Sequence, residues 1–227
     1  AEFNQPAVAL TDTGNMMAAF HFEKAASSYN AKIREERKIA EENGEPFDKT
    51  EIIPIIGCEF NVCRNLADKS IKDNGYQVVL LAKNKNGYQN IIKLASIAYT
   101  KGMYYVPRID KETIEAFKED IIVLSGNLYG EIPNLILNVG EKQAEEALIW
   151  WKNTFGADFY IELSRHQLES EDRVNPILVD LARKHHVKLV ATNNTYYLNR
   201  SDAQAHDVLL CVKDSELLET PKGKGRG

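Results

Sequence analysis

The sequence predicts an α/β chain folded as a (β/α) barrel, and three observations carry that prediction. Short apolar runs rich in β-branched residues recur along the chain with helical segments between them, the pattern of parallel strands joined by crossover helices. The runs are nearly continuous in hydrophobicity rather than alternating, as a sheet covered on both faces requires. Neither the dinucleotide-binding nor the P-loop glycine fingerprint is present, which disfavours an open nucleotide-binding sheet. Unbroken βα units in series then favour a barrel, whose chemistry sits at the C-terminal ends of its strands.

Six strands are expected, over residues 7–11, 52–58, 77–82, 121–125, 159–163 and 188–192. Residues 32–43 are highly charged with isolated Ile33 and Ile39, and read as a solvated, peripheral helix. Tyr88, Ile91, Ile92, Ala95, Ala98 and Tyr99 repeat at three and four, as do Ala144, Ala147, Leu148, Trp151 and Phe155, so each set predicts a helix with one buried stripe. Trp150 and Trp151 are adjacent, so only one of them can face the core. Val174, Ile177, Leu178, Leu181 and Ala182 form a third stripe, with Asn175 expected as its cap and Pro176 as its first helical residue. Ser201 and Gln204 fit a capping box that starts a last helix, whose buried face would hold Ala205, Val208, Leu209 and Val212. One domain over residues 1–220 is the economical reading, with residues 221–227 as the start of a basic, glycine-rich linker or loop.

Composition narrows the function. A chain of 227 residues, 44% hydrophobic and 27% charged, can bury one good-sized core, which excludes disordered and collagen-like classes. With 28 basic and 33 acidic residues the formal charge is −5, unlike a protein whose whole surface grips phosphate backbones. Cys58, Cys63 and Cys211 form no C-x-x-C pair, and an odd count without a signal-like apolar start points to the reducing cytoplasm. No apolar run approaches the roughly 18 residues that would cross a bilayer. The chain opens in mid-phrase without an initiator methionine, so a preceding segment is expected.

If the barrel reading holds, the mouth gathers Asp12, Cys58, Glu59, Asn84, Ser125, Asn127, the stretch 162–166, Asn193 and Asn194. A metal-dependent hydrolase would fill such a ring with histidines and carboxylates. Here amides and hydroxyls dominate, and of five histidines only His166 stands at an expected strand end. His185 and His186 read as helix-end residues, and His21 and His206 as packing or hydrogen-bonding residues.

The motifs resemble a family. L-T-D-T-G-N at 10–15, P-I-I-G-C-E at 54–59, L-L-A-K-N at 80–84 with G-Y-Q-N at 87–90, and P-R-I-D at 107–110 are similar to the PHP (polymerase and histidinol phosphatase) domain of bacterial DNA polymerase III alpha subunits. So are L-S-G at 124–126 with G-E-I-P at 130–133, V-A-T-N at 190–193, and D-A-Q-A-H-D-V-L-L at 202–210. The resemblance implies a (β/α)7-type distorted TIM-like barrel, lacking its first strand in this chain. In active relatives the mouth holds a trinuclear site of Zn, Mn or Fe that hydrolyses phosphoesters, and some have a 3′–5′ exonuclease activity. Carried over one position at a time, Asp12, Glu59 and His166 keep a ligand type. Thr13, Gln77 and Asn127 replace two histidines and a cysteine, while Asn194 and Tyr196 replace an aspartate and a histidine; the upstream His-x-His is absent from the chain. Neutral amides and hydroxyls do not hold transition metals as anionic and imidazole donors do.

The expectation is therefore a metal-free, non-catalytic remnant of a phosphoesterase site. Gln77, Asn127 and Asn194 would form a neutral network, Tyr196 would fill space left by metals, and Arg108 and Glu162 would stand behind the mouth, with Arg108 or His166 compensating Asp12 and Glu59. By resemblance the parent is a DNA-directed polymerase whose Mg-dependent palm domain lies further along. The domain would scaffold the rest of that chain and dock the proofreading exonuclease subunit, DNA being held elsewhere, with no membrane and no obligate homo-oligomer. The alternative is an active metal-dependent phosphoesterase or exonuclease with atypical ligands.

Overall fold

The computed structural model describes residues 5–220. Seven strands among them, β1 (Ala7–Leu10), β2 (Ile53–Cys63), β3 (Tyr76–Ala82), β4 (Arg108–Asp110), β5 (Ile121–Leu124), β6 (Phe159–Leu163) and β7 (Lys188–Ala191), form one curled half-barrel sheet. Its order is β1-β2-β3-β5-β6-β7, with β4 also paired to β2, so β1 and β7 end the path and β4 lies beside β2 off it. The helices are α1 (Ala19–Asn43), α2 (Lys85–Thr100), α3 (Lys111–Ala116), α4 (Glu131–Asn138), α5 (Glu141–Phe155), α6 (Glu169–His185) and α7 (Ala203–Asp214). The α/β class and the half-barrel agree with the sequence reading. By its contacts the chain divides into two compact units, Ala1–Ala191 and Thr192–Gly227. The expected linker at residues 221–227 lies outside the described residues.

One strand runs against expectation. β3 is antiparallel to both β2 and β5, with Cys58 opposite Leu80 and Val79 opposite Leu124. The reason is covalent: only residues 64–75 join β2 to β3, and they contain no helix, so the chain turns back instead of crossing over. Periodicity cannot report this, because a continuous apolar run reads alike in either direction. The three-residue β4 was also not expected. It follows Pro107, carries two charges, and is too short to show a period.

The core lies where the sheet meets α2, α4, α5 and α6. Phe60, Leu80, Ile91, Leu94, Ile121, Leu148, Phe159 and Ile161 are fully enclosed, and each such side chain contributes about 1.5–3 kcal/mol on removal from water. Trp151 joins this core while Trp150 is half-buried beside it. The α2 stripe is narrower than expected, because Ile92 and Tyr99 face outward and Leu94 faces in. α1 is longer than the charged stretch suggested, and Ala19, Ala26, Ile33 and Ala40 form its buried stripe at intervals of seven. α6 begins at Glu169, so Pro176 sits inside the helix and Asn175 is not its cap; the Asn175 amide instead donates to the Ser164 carbonyl at 3.0 Å. In the second unit no Ser201–Gln204 box forms. Asp202 accepts from the Asn199 N–H at 2.9 Å, and Val208, Leu209 and Val212 are exposed while Cys211 is buried.

The loop 64–75 that reverses the chain is held by a buried cation. Arg108 is 0% exposed, and its guanidinium donates to three backbone carbonyls, those of Gly102 (3.1 Å), Asp73 (2.8 Å) and Asp68 (3.4 Å). The Tyr104 ring lies 5.1 Å from it. Next to it, Asp110 accepts from the Leu66 N–H at 2.9 Å and from Thr113 N–H and Oγ1 at 2.9 and 2.6 Å, capping α3 and fixing the loop together. Burial pushes the Asp110 carboxyl up, but those donors outweigh it and hold the group below its ordinary range. Gly75 closes the loop at φ +77°, where a Cβ would stand 2.5 Å from the Val62 carbonyl carbon.

Arg108→Met should cost about 3 kcal/mol or more, because hydrogen bonds from a charged donor are lost and buried carbonyls are left unmatched. For a chain of this size that is a fall in Tm of roughly 6 to 12 °C. Thermal unfolding followed by circular dichroism checks it, and a Tm within a degree of wild type would show that the loop does not depend on this residue.

Candidate functional site

The site expected at the C-terminal strand ends is assembled around β1 and β2. The two strands pair in parallel from Ala7 opposite Ile53 to Leu10 opposite Ile56. Beyond Leu10 the chain stays bound to β2: Glu59 N–H donates to the Asp12 carbonyl at 3.1 Å, and Gly14 N–H donates to the Glu59 carbonyl at 2.7 Å. This register places Thr13 across from Glu59, and the Thr13 hydroxyl donates to Glu59 Oε1 at 2.8 Å. Burial raises the Glu59 carboxyl above its ordinary value, and the Thr13 hydrogen bond only partly counters that. Cys58, wholly enclosed one residue earlier, has its thiol pushed up to about 12, chiefly by burial, and is inert as a nucleophile.

The antiparallel course of β3 sorts the other expected residues. Gln77, at the start of β3, pairs with Asn61 and lies at the mouth. Asn84, past the other end of β3, is at the opposite side of the sheet and is removed from the site; its side chain caps α2 by accepting from Asn86 and Gly87 N–H at 2.9 and 3.1 Å. A turn after β5 brings Asn127 alongside Gln77. Asn127 Oδ1 accepts from Tyr129 N–H at 3.0 Å, and the Tyr129 carbonyl accepts from Gln77 N–H at 3.0 Å. The link between Gln77 and Asn127 thus runs through backbone, with the Asn127 carboxamide oxygen engaged within its own turn. Ser125 Oγ accepts from Glu162 N–H at 3.0 Å, tying β5 to β6 beneath the mouth.

His166 follows β6, as expected, but is held by a residue the sequence reading passed over. Its Nδ1 lies 2.7 Å from Glu171 Oε1, and its N–H donates to Glu171 Oε2 at 2.5 Å. Glu171 is buried; burial alone would raise its pKa, yet the His166 and Leu168 donors hold it below the ordinary range. The signal was available: Glu171 stands three residues after Leu168, at the helix-start position where a glutamate commonly accepts backbone N–H groups. Arg108 does not compensate Asp12 or Glu59, because its guanidinium is turned onto the 64–75 loop. Asn193, Asn194 and Tyr196 belong to the second unit, where the Tyr196 ring stacks on His206 with centroids 5.3 Å apart. His185 bonds Glu145, and His186 ends α6 in the left-handed conformation.

A second feature at this end of the sheet is a cleft of about 570 Å³ over the end of β2, lined by the loop 64–75 with Lys111 and Glu131. Glu131 bonds Lys111 Nζ and Trp151 Nε1, both at 2.8 Å, and Lys111 Nζ lies 4.5 Å from the Trp150 ring centroid.

A PHP-type metal site needs several anionic or imidazole donors converging on one point. Among the described residues no group of three or more His, Cys, Asp or Glu side chains is so placed. Glu59 is matched by a hydroxyl and shifted toward its neutral form, while His166 Nδ1 is held by Glu171. The donor set does not fit the family's metals.

Comparison with known proteins places these features. The PHP domain family model matches residues 1–166. The chain is 38% identical over 213 residues to a DNA polymerase III subunit alpha of Borreliella burgdorferi, covering 92% of this chain and 17% of that protein. The corresponding proteins of Treponema pallidum and Thermus aquaticus are 37% and 36% identical, covering 92% and 96% of this chain and 16% of each relative. The chain therefore spans about a sixth of the length of these curated relatives. With the half-barrel sheet and the residues gathered at its mouth, the match over most of its length establishes that the chain belongs to the PHP domain family.

Proposed function

We propose that this chain is the PHP portion of a bacterial DNA polymerase III alpha subunit, metal-free and non-catalytic, serving as a scaffold for the rest of the polymerase and a docking surface for its proofreading exonuclease subunit. The observation that carries the reading is the Thr13–Glu59 pair. Where the family has an imidazole beside a carboxylate, this chain has a hydroxyl that donates to the carboxylate. The Thr13 hydroxyl occupies one lone pair of Glu59 Oε1 and, unlike an imidazole, is a poor donor to a transition metal. Without a bound cation nothing at the mouth lowers the pKa of a water to make a nucleophile. Collinear similarity to alpha subunits over more than nine-tenths of the chain supports the parent.

Three measurements test this. Elemental analysis of the intact protein should find Zn, Mn and Fe well below one equivalent. A stoichiometric ion whose removal abolishes phosphodiester hydrolysis would establish the alternative, an active metal-dependent phosphoesterase.

Glu59→Gln keeps an acceptor for Thr13 and removes the buried charge. A carboxyl raised by folding contributes stability only while protonated, and that contribution is lost as pH rises through the folded-state pKa. The substitution should therefore raise Tm at neutral pH, with the gain vanishing below about pH 4, under the ordinary glutamate range. A lower Tm at neutral pH would contradict a metal-free site.

The exonuclease subunit should bind the intact parent and lose at least tenfold in affinity when the PHP portion is deleted from a parent that still extends primers. Unchanged binding at about 10 µM or below would remove the docking role.

A further inference from the structure

From the exposed apolar face of α7 we infer an intramolecular interface, in which Ala205, Val208, Leu209 and Val212 are covered by a segment of the same parent polypeptide beyond residue 227. These four residues stand at i, i+3, i+4 and i+7. They share one stripe about 100° wide, the spacing with which a helix ordinarily meets a core. Here all four are exposed, Leu209 to 63% and Val212 to 73%. Leu217 and Leu218 follow just past the helix and are exposed as well.

Off the stripe, α7 has local partners. Cys211 is its one buried residue. The His206 ring meets those of Tyr196 and Tyr197, with centroids 5.3 and 5.4 Å away. These contacts leave the apolar stripe without a role. They also leave the helix short of support, since isolated helices below about 12–15 residues are marginal in water and gain their stability by packing an apolar face.

The chemistry of the stripe selects its occupant. Its side chains carry no charge and no hydrogen-bonding group, so nothing on it steers or registers a partner that comes and goes. Dissociable interfaces are about as polar as ordinary surface, whereas permanent ones resemble a core cut in half. A phosphate backbone would find no cation on the stripe. Six aliphatic side chains also fall short of the roughly 20–30 residues a side that a standard interface between separate chains uses. A segment of the same polypeptide needs less, because a short tether holds it at an effective concentration of about millimolar, highest for residues that follow the helix closely. Length makes such a segment available: this chain covers only 17%, 16% and 16% of the three alpha subunits to which it is similar. The inference rests on the reading of this chain as part of such a subunit.

The test uses the intact parent with the photo-cross-linker p-benzoylphenylalanine in place of Leu209 or of Val212. Isotopically light and heavy protein are mixed equally, with the exonuclease subunit present. After irradiation, cross-linked peptides should join α7 to residues beyond 227 of the same molecule, light to light and heavy to heavy. Mixed-isotope pairs would assign the face to a second copy and overturn the inference. Cross-links to the exonuclease subunit or to residues 5–191, or none at all, would also overturn it. In a second measurement, Leu209→Asp with Val212→Asp should speed tryptic cleavage after Lys213 at least tenfold in the parent, whereas Leu209→Met should leave it unchanged. An unchanged rate in the double variant counts equally against the inference. Primer extension by the unmodified parent checks the underlying reading separately: its absence removes that reading, while a working polymerase with cross-links elsewhere removes only the inference.

Discussion

The fold turns on one buried guanidinium. A chain leaving a parallel strand ordinarily returns through a helix, but residues 64–75 reverse without one, so their backbone groups have no ladder to join. Arg108 supplies the missing donors, with Asp110 the matching acceptor, and the two are neighbours on the three-residue strand that pairs with the end of β2. A forked, permanently charged donor suits this task where lysine would not, because three carbonyls in different directions need several fixed N–H groups. With that loop fixed, β3 runs antiparallel. The position of Gln77 at the mouth and of Asn84 at the far side both follow from that reversal.

The same geometry sets how the polar groups of the mouth are paired. The register that holds Thr13 against Glu59 comes from backbone hydrogen bonds on either side of the pair, which do not depend on what either side chain binds. A change from imidazole to hydroxyl at position 13 can therefore leave the backbone intact while removing a metal donor. The remaining ligand-type residues find local partners: Glu59 with Thr13, His166 with Glu171. Asn127 likewise turns to its own loop. Buried polar groups need hydrogen bonds whether or not a metal is present, and these pairings supply them.

The α/β class, six of the seven strands and the stripes of α2 and α5 were legible because each is written in apolar spacing. Strand direction was not, since Tyr76–Ala82 would look the same running either way. Arg108 was misplaced for a related reason: a charged residue near an expected mouth reads as part of the site, while its role in bracing a loop depends on carbonyls 6 to 40 residues away in sequence. Glu171 was passed over because its partner lies five residues back across a turn, not on a helical face. Val208, Leu209 and Val212 kept helical spacing yet are exposed, so periodicity located a face without saying whether the described residues cover it.

Net charge proved the least informative number. A formal −5 describes the sum, whereas the window over residues 74–109 holds five cations and no acid. Charges separated by more than a Debye length, about 8 Å at physiological salt, scarcely influence each other across a solvated surface. The field at α2 is therefore set by its own side chains and those packed against it, and the surplus of acids elsewhere is screened from it. Within this window Arg108 serves the fold, Lys83 pairs with Asp158, and Lys93 lies over the Phe117 ring. The helix nevertheless has a carboxylate at its first turn, because Asp120, from outside the window, accepts from the Asn86 amide at 2.8 Å.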